Sequence, residues 1–235
     1  MAEPALILFD VDGTLIDSHR SGRDAMTAAG RTVFGPRFSF DAVAFAGKLD
    51  PVIVAEAAAA SEHDVTDEQL IAFFNAYLDE LKARLAYPPR PVVLPGVHDA
   101  VDALHQHCLD NATELGLLTG NYARAARLKL DAARFDHTRF TVNAFGDDAH
   151  HRADLVALAR QRFEHHTGRA VAPDRTLVVG DTPLDVDAAH AHGCVAVGVA
   201  TGSYDAPALA AAGADHVLDD LTAFPDLHRD LCNGA

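Results

Sequence analysis

The chain has 235 residues, of which 49% are hydrophobic and 23% charged, and its formal net charge at pH 7 is −15. This length can bury a full core, as one large domain or as one domain with an insertion. The negative charge argues against nucleic acid or an anionic membrane as a partner, and no apolar run approaches the ~20 residues that a membrane helix needs. An anionic substrate would therefore need positive charge placed locally.

The first predicted element is a buried strand over Ala5–Phe9, because this run is continuously apolar. Helical patterning follows from about Arg20 to Tyr87. Within it, Asp50-Pro51 predicts the start of a helix, with Asp50 as the N-cap and proline at the first helical position. Pro88-Pro89-Arg90-Pro91 ends this helical block with a stiff connector.

A further helix in the block begins at a capping box, because the side chains of Thr66 and Gln69 can each bond the other's backbone N–H. Apolar residues then recur at helical period and define one face that we expect to be buried. That face consists of Leu70, Phe73, Phe74, Tyr77, Leu78, Leu81 and Leu85.

Strands and helices alternate through the rest of the chain. The predicted elements are a helix over 96–107, a strand over Leu115–Leu118, a helix over 122–133, a short strand over Phe140–Phe145, a helix over 154–166, a strand over 176–179, a helix over 184–192, a strand over Val195–Val199, a helix over 206–212 and a strand over His216–Leu218. This alternation predicts an α/β fold with a doubly wound parallel sheet. We interpret residues 18–91 as an inserted, all-helical cap subdomain and residues 1–17 and 92–235 as the core.

Three of the apolar runs end at residues suited to phosphate chemistry. They lead into Asp10-Val11-Asp12-Gly13-Thr14-Leu15, Thr119-Gly120-Asn121, and Gly180-Asp181-Thr182-Pro183-Leu184-Asp185. In parallel sheets, ligands bind outside the carboxyl ends of the strands, so these segments are expected to converge. Such a site is acidic enough to hold a divalent cation.

These segments resemble, in order and spacing, the first, second and fourth motifs of the haloacid dehalogenase superfamily, in the helical-capped, phosphoglycolate phosphatase-like subgroup. The resemblance implies a Mg²⁺-dependent phosphomonoester hydrolase that forms an aspartyl-phosphate. Asp10 would be the nucleophile and Asp12 the general acid and base. Members that cleave carbon–halogen bonds generally lack an aspartate at the second position, so Asp12 favours phosphoryl transfer.

The resemblance also implies a metal site. Asp10 and Asp181 would bind Mg²⁺ through their carboxylates and Asp12 through its backbone carbonyl, while Asp185 would support the site from one helical turn later. From the residues alone, Asp181 could instead be a helix N-cap, and Asp185 could be a solvated surface residue.

Phosphate contacts are expected from two further segments. Thr119 would bond a phosphoryl oxygen, with the N–H groups of Gly120 and Asn121 as additional donors, although Asn121 could simply cap the next helix. The third motif of the superfamily is a basic residue, most often a lysine followed by proline. This chain departs from that form and offers Arg152, which can fork onto two phosphate oxygens or could be a solvated residue that opens a helix.

The loop Phe45–Asp50 resembles the substrate-specificity loop of helical-capped members, and Lys48 would bind substrate or be an ordinary surface lysine. The expected substrate is a small phosphorylated metabolite, such as phosphoglycolate or a sugar phosphate. Two alternatives stay open: a β-phosphoglucomutase-like phosphomutase, and a phosphonoacetaldehyde hydrolase-like enzyme that cleaves a carbon–phosphorus bond through a Schiff base on Lys48. The motifs do not indicate the oligomeric state.

The cysteines indicate a reducing compartment. Cys108, Cys194 and Cys232 stand far apart and are odd in number, so we expect reduced thiols. The start of the chain leads into a strand without a basic segment before it, so we expect no secretory signal and a cytoplasmic protein. The 14 histidines are interpreted as surface polarity rather than as zinc ligands, because their close pairs do not share a helix face.

Overall fold

The centre of the molecule is a parallel sheet of five strands in the order β4-β1-β5-β6-β7, within the residues that the computed structural model describes, 4–110 and 113–233. The strands are Ala5–Phe9 (β1), Ile16–Asp17 (β2), Val92–Val93 (β3), Thr113–Leu117 (β4), Thr176–Gly180 (β5), Val195–Val199 (β6) and His216–Leu218 (β7). The α-helices are Ser21–Phe34 (α1), Asp50–Ala60 (α2), Asp67–Leu85 (α3), Val97–Asp110 (α4), Ala123–Ala132 (α5), Arg152–Thr167 (α6), Pro183–His190 (α7), Ala206–Ala211 (α8) and Phe224–Asn233 (α9).

Helices cover both faces of the sheet, which confirms the doubly wound α/β fold. Successive side chains of β1 point to opposite faces, as the period of a strand requires. Ile7 and Phe9 belong to a hydrophobic cluster with residues of α4, α5 and α9. Leu6 and Leu8 belong to a second cluster with residues of α6 and α7. Both faces of β1 are therefore buried, which explains its continuously apolar sequence.

The helices α1, α2 and α3 form a helical unit with its own hydrophobic cluster. Its members include Met26 of α1, Val54 of α2 and Phe73 of α3, and α5 contributes Ala125. The chain enters this unit after β2 and leaves it before β3, and these two short strands pair antiparallel. An inserted helical subdomain is therefore present, while the boundaries at residues 18 and 91 stay a prediction.

Several local predictions are confirmed. The capping box is present, because Gln69 N donates to Thr66 Oγ1 and Thr66 N donates to Gln69 Oε1. The predicted face of α3 is buried at Phe73, Tyr77, Leu78, Leu81 and Leu85. Phe74 is half-buried, and Leu70 is 40% exposed because it lies in the first turn, at the edge of the cluster. β1, β6 and β7 have the predicted bounds, and the helices from α4 to α8 and the strands β4 and β5 begin and end within a few residues of theirs. The last helix, α9, was not predicted.

Two local predictions are wrong. Phe140–Phe145 is not a strand and contributes one bridge, between Leu118 and Ala144. The side chain of Asn143 accepts the Leu117 N–H in place of a backbone carbonyl, and this breaks the ladder. Asp50 is the first residue of α2 rather than its N-cap, which is Leu49. Its carboxylate instead accepts the N–H of Tyr122, at the start of α5.

Other sequence predictions concern the cysteines, the membrane and the cellular location. Cys194 is a buried free thiol, whereas the side chains of Cys108 and Cys232 lie outside the described residues. In the described part of the chain, no helix has both the length and the apolar character to cross a membrane. The cytoplasmic location stays a prediction.

Candidate active site

The three predicted segments meet at one edge of the sheet. Phe9 lies opposite both Leu117 and Val179 in the parallel register, so the residues that follow these strands leave the sheet at the same level. Asp10 N donates to Val179 O at 2.9 Å. The register therefore brings Asp10, Thr119 and Asp181 to one place, as the strand-end argument predicts.

Asp10, Asp181 and Asp185 form a buried acidic cluster. One carboxylate oxygen of each lies within 4.8 Å of the others. Oδ1 of Asp10 and Oδ1 of Asp181 are buried and accept no hydrogen bond from the described residues. Buried oxygens without donors are costly, so this arrangement fits a divalent cation with oxygen ligands.

Two carboxyl groups of the cluster, those of Asp10 and Asp181, have raised pKa values. Burial is the main cause for Asp10, whose pKa rises to about 6 because the nearby Arg152 and hydrogen bonds offset only part of that cost. Burial and the charges of Asp10 and Asp185 raise the pKa of Asp181 well above its usual value. A cation bound between these carboxylates would favour their ionised forms.

Glycines leave the space around Asp181 open. A Cβ at Gly202 would overlap the Asp181 carboxyl group, and one at Gly13 would come within 2.5 Å of Oδ2. Gly13 also has φ +82°, a conformation that side chains with a Cβ rarely adopt. The turn after Asp12 therefore requires glycine for two reasons.

Arg152 joins the acidic cluster to the loop that carries Lys48. Its Nη2 lies 2.5 Å from Asp185 Oδ1 and 3.3 Å from Asp10 Oδ1, and Nη1 donates to the carbonyl of Gly47 at 3.0 Å. Asp185 Oδ2 accepts hydrogen bonds from the backbone and hydroxyl of Thr182. Both Asp185 oxygens thus have protein donors, so this residue holds Arg152 and the start of α7 in place.

The carboxylate of Asp12 belongs to a hydrogen-bond network that the sequence did not reveal. Its Oδ2 accepts from Lys129 Nζ at 2.5 Å and from Asn121 Nδ2 at 2.8 Å, and its Oδ1 accepts from the Ser18 hydroxyl. Burial would raise the pKa of Asp12, but the charge and hydrogen bond of Lys129 outweigh it and lower that pKa. In the free protein, the Asp12 carboxylate is therefore ionised.

Lys129 is the principal site residue that sequence reasoning missed. It lies on α5 and is only 4% exposed, sharing the buried face of that helix with Ala126 and Leu130. Its Nζ also donates to Asn121 Oδ1 at 2.5 Å. The available signal was a lysine at a core position of an amphipathic helix, since such a position needs a charged partner.

The second segment, Thr119-Gly120-Asn121, contributes side chains to the site and does not cap a helix. Asn121 does not cap α5, and its side chain bridges Asp12, Thr119 and Lys129. Thr119 is fully buried, and its hydrogen bond to Asp10 offsets part of the rise in the pKa of that carboxyl group. The carbonyl of Gly120 accepts the Asp50 N–H, and a Cβ at Gly120 would overlap the carbonyl of Lys48.

A cavity of about 630 Å³ extends from the acidic cluster to the helical unit. Asp10 and Asp181 line its core end, and Lys48 and Tyr77 line its other end. The Lys48 ammonium donates to both carboxylate oxygens of Glu56, at 2.8 and 2.6 Å. Lys48 therefore borders the cavity as one half of an ion pair.

Comparison with known proteins gives concordant results. A model of the haloacid dehalogenase-like hydrolases matches residues 4–193. The chain is 30% identical over 229 residues to a phosphoglycolate phosphatase of Pseudomonas putida, covering 94% of this chain and 78% of that one. It is also 30% identical over 222 residues to validoxylamine A 7′-phosphate phosphatase of Streptomyces hygroscopicus subsp. limoneus, covering 92% and 93%. The crystal structure of a hydrolase from Pseudomonas syringae shares the fold, with a TM-score of 0.72 at 23% identity over 97% of this chain and 99% of that one.

Proposed function

The chain belongs to the haloacid dehalogenase-like hydrolases, and we propose that it is a phosphatase that hydrolyses the phosphomonoester of a small metabolite through an aspartyl-phosphate. The observation that carries the proposal is the arrangement of Asp10 and Asp12. Asp10 lies in the acidic cluster with one buried oxygen free of hydrogen bonds, while Asp12, two residues later, is held by Lys129 and Asn121. The phosphatase names of the relatives from Pseudomonas putida and Streptomyces hygroscopicus support it.

In the first step, a carboxylate oxygen of Asp10 attacks the phosphorus atom. The bond from phosphorus to the ester oxygen breaks as the aspartyl-phosphate forms, and the leaving oxygen takes a proton from Asp12. Because the pKa of Asp12 is lowered, it must first take up this proton. A substrate that binds as the phosphate monoanion can bring it, since the second phosphate pKa is about 6.

In the second step, Asp12 acts as a base, which suits its ionised resting state. It removes a proton from water, and the water oxygen attacks phosphorus, so that inorganic phosphate leaves and Asp10 is regenerated. Arg152 and Thr119 stabilise the phosphoryl oxygens, with the backbone N–H groups of Gly120 and Asn121 as further donors. Arg152 also keeps Asp10 oriented.

We assign Mg²⁺ as the cofactor of this site. The carboxylates of Asp10 and Asp181 and the backbone carbonyl of Asp12 would hold it, and Asp185 would support it through Arg152 and Thr182. When bound, the ion neutralises charge on the phosphoryl group and on the carboxylates. Oδ1 of Asp181 supports this assignment, because it is a buried acceptor without a hydrogen-bond donor among the described residues.

We further propose that residues 18–91 close over the site of the core, residues 1–17 and 92–235. Closure of a cap excludes bulk water from the reacting groups, which suits small substrates. The carbon–phosphorus alternative through Lys48 is less favoured, since a Schiff base needs a free amine and this ammonium is bound by Glu56. A phosphomutase would use the same first step and return the phosphoryl group to substrate.

The test is phosphate release from phosphoglycolate and from p-nitrophenyl phosphate, with Mg²⁺ and with EDTA. Wild type and Asp10→Asn are compared, and Asp187→Asn, at an exposed position on α7, is the matched control. Activity that needs both Mg²⁺ and Asp10, with one ¹⁸O atom from labelled water in each phosphate, is expected. Activity in Asp10→Asn contradicts the covalent mechanism, and transfer to substrate without phosphate release favours the mutase.

A further inference from the structure

Two of the cationic side chains that line the cavity have no ion-pair partner among the described residues. Five cationic side chains line it: Arg20, Arg23, Lys48, Lys129 and Arg152. The last three have the carboxylate partners described above. Among the described residues, no carboxylate oxygen lies within 4.0 Å of the side-chain nitrogens of Arg20 or Arg23. Arg20 and Arg23 therefore line this cavity without an ion-pair partner in the described part of the chain.

These two arginines belong to the start of α1. Arg23 is in its first turn, and Arg20 precedes the helix as its N-cap residue. The guanidinium carbon of Arg23 lies 5.0 Å from the ring centroid of Phe45, which also lines the cavity. This cation–π contact holds the guanidinium group of Arg23 beside the ring of Phe45.

A buried hydroxyl group lies beside the same turn. Tyr77 is fully buried, lines the cavity, and its Oη has no hydrogen-bond partner among the described residues. Gly22 stands between the two arginines, and a Cβ there would lie 3.6 Å from Tyr77 Oη and 2.9 Å from Lys129 Nζ. An unpartnered buried hydroxyl is unfavourable, so a polar ligand atom is expected at this place.

We propose that Arg20, Arg23 and Tyr77 bind a second anionic group on the organic part of the substrate. The group is a carboxylate or a second phosphate, because both accept the parallel N–H donors of a guanidinium. This proposal rests on the proposed function, in which the ester phosphate lies at Asp10, beside Arg152. The cavity of about 630 Å³ has room for both groups.

The experiment compares esters that differ only in the second charge. Phosphoglycolate is paired with 2-hydroxyethyl phosphate, and propane-1,3-diol bisphosphate is paired with 3-hydroxypropyl phosphate. Wild type, Arg20→Met, Arg23→Met and Tyr77→Phe are measured, with Arg31→Met as the control, because Arg31 lies on the same helix, is exposed and does not line the cavity. The charged ester with the higher kcat/KM identifies the second group as a carboxylate or a phosphate.

Wild type is expected to have a kcat/KM at least about 10-fold higher for one charged ester than for its uncharged partner. Arg23→Met should lower kcat/KM for that charged ester by about 10- to 100-fold and change the uncharged partner by less than about 2-fold. Arg20→Met and Tyr77→Phe should reduce the same preference, and Arg31→Met should retain it. Equal losses on both members of a pair, or no preference in wild type, would overturn the proposal.

A binding measurement separates this proposal from the proposed function. Calorimetric titration of Asp10→Asn with the same esters measures affinity without turnover. Asp10→Asn is expected to bind the charged ester more tightly than its uncharged partner, and the Asp10→Asn, Arg23→Met double variant is expected to lose this difference in affinity. That result supports the second anion site even where no ester is hydrolysed. Absence of that preference in Asp10→Asn overturns it, whatever the phosphatase assay shows.

Discussion

Replacing Asp50 with asparagine should stabilise the protein, and by more at pH 8 than at pH 5. Asp50 is buried, and its Oδ2 accepts the N–H of Tyr122 at 2.9 Å. Burial raises the pKa of Asp50 to about 7, because the charge of Lys129 and the bond from Tyr122 offset only part of the lost hydration. Asparagine keeps an oxygen for the Tyr122 N–H and removes the charge.

The direction of the pH dependence follows from whether the folded or the unfolded state holds the Asp50 proton. The pKa of Asp50 is raised from 3.8 to about 7 in the folded protein, so the folded state retains a proton that the unfolded state loses between these values. Wild-type stability therefore falls by about 1.4 kcal/mol per pH unit across this window and is level above it. The advantage of Asp50→Asn should grow by about 2.5 kcal/mol from pH 5 to pH 8, towards a limit of about 4 kcal/mol.

Urea unfolding at pH 5, 6, 7 and 8 measures this difference. Asp147→Asn is the matched control, because Asp147 is exposed and also accepts a backbone N–H at the start of α5, from Ala123. Asp147→Asn removes an exposed carboxylate instead of a buried one, so it measures the exchange without the burial of Asp50. If the difference between Asp50→Asn and wild type is the same at pH 5 and pH 8, the Asp50 carboxyl group does not carry the cost of burial inferred from the structure.

Three further results are expected. Mg²⁺ at about 100 times its dissociation constant should stabilise wild type by about 2.7 kcal/mol in thermal unfolding, and Asp181→Asn should lose this gain. Lys129→Met should lower the free energy of unfolding in urea by about 3 kcal/mol, because it leaves Asp12 and Asn121 without their buried cation. Lys48→Met removes one partner of a half-exposed pair and should lower it by less than about 1 kcal/mol. Equal losses of unfolding free energy in the two variants would contradict this reasoning. Lys48→Met should also keep phosphatase activity within about 3-fold, and borohydride should trap no adduct between wild-type Lys48 and phosphonoacetaldehyde, since Glu56 binds the Lys48 ammonium.

The main features of the fold could be predicted because they depend on local sequence. A strand buried on both faces must be continuously apolar, and this requirement identifies Ala5–Phe9 without any knowledge of its neighbours. The meeting of Asp10, Thr119 and Asp181 then follows from the parallel topology, because the carboxyl ends of the strands share one edge.

The partners of Asp12 and Asp50 could not be predicted in the same way. Lys129 reaches Asp12 across 117 residues, and Asp50 meets Tyr122 across 72. No periodicity or motif encodes such distances, since they depend on how α5 packs against the helical unit. The error at Phe140–Phe145 has the same origin, because one tertiary bond from Leu117 to the side chain of Asn143 decides against a strand.

The loop that carries Lys48 is attached to the core on both sides of that residue. Before it, the carbonyl of Gly47 accepts from Arg152, and after it Asp50 N donates to Gly120 O while the Asp50 carboxylate accepts from Tyr122. Because Arg152 also lies against Asp10, one side chain contacts both the loop and the proposed nucleophile. A displacement of the loop therefore disturbs the position of Arg152 beside Asp10. In the proposed mechanism, the position of a substrate at the helical unit and the alignment of the Asp10 carboxylate are thus linked through Arg152.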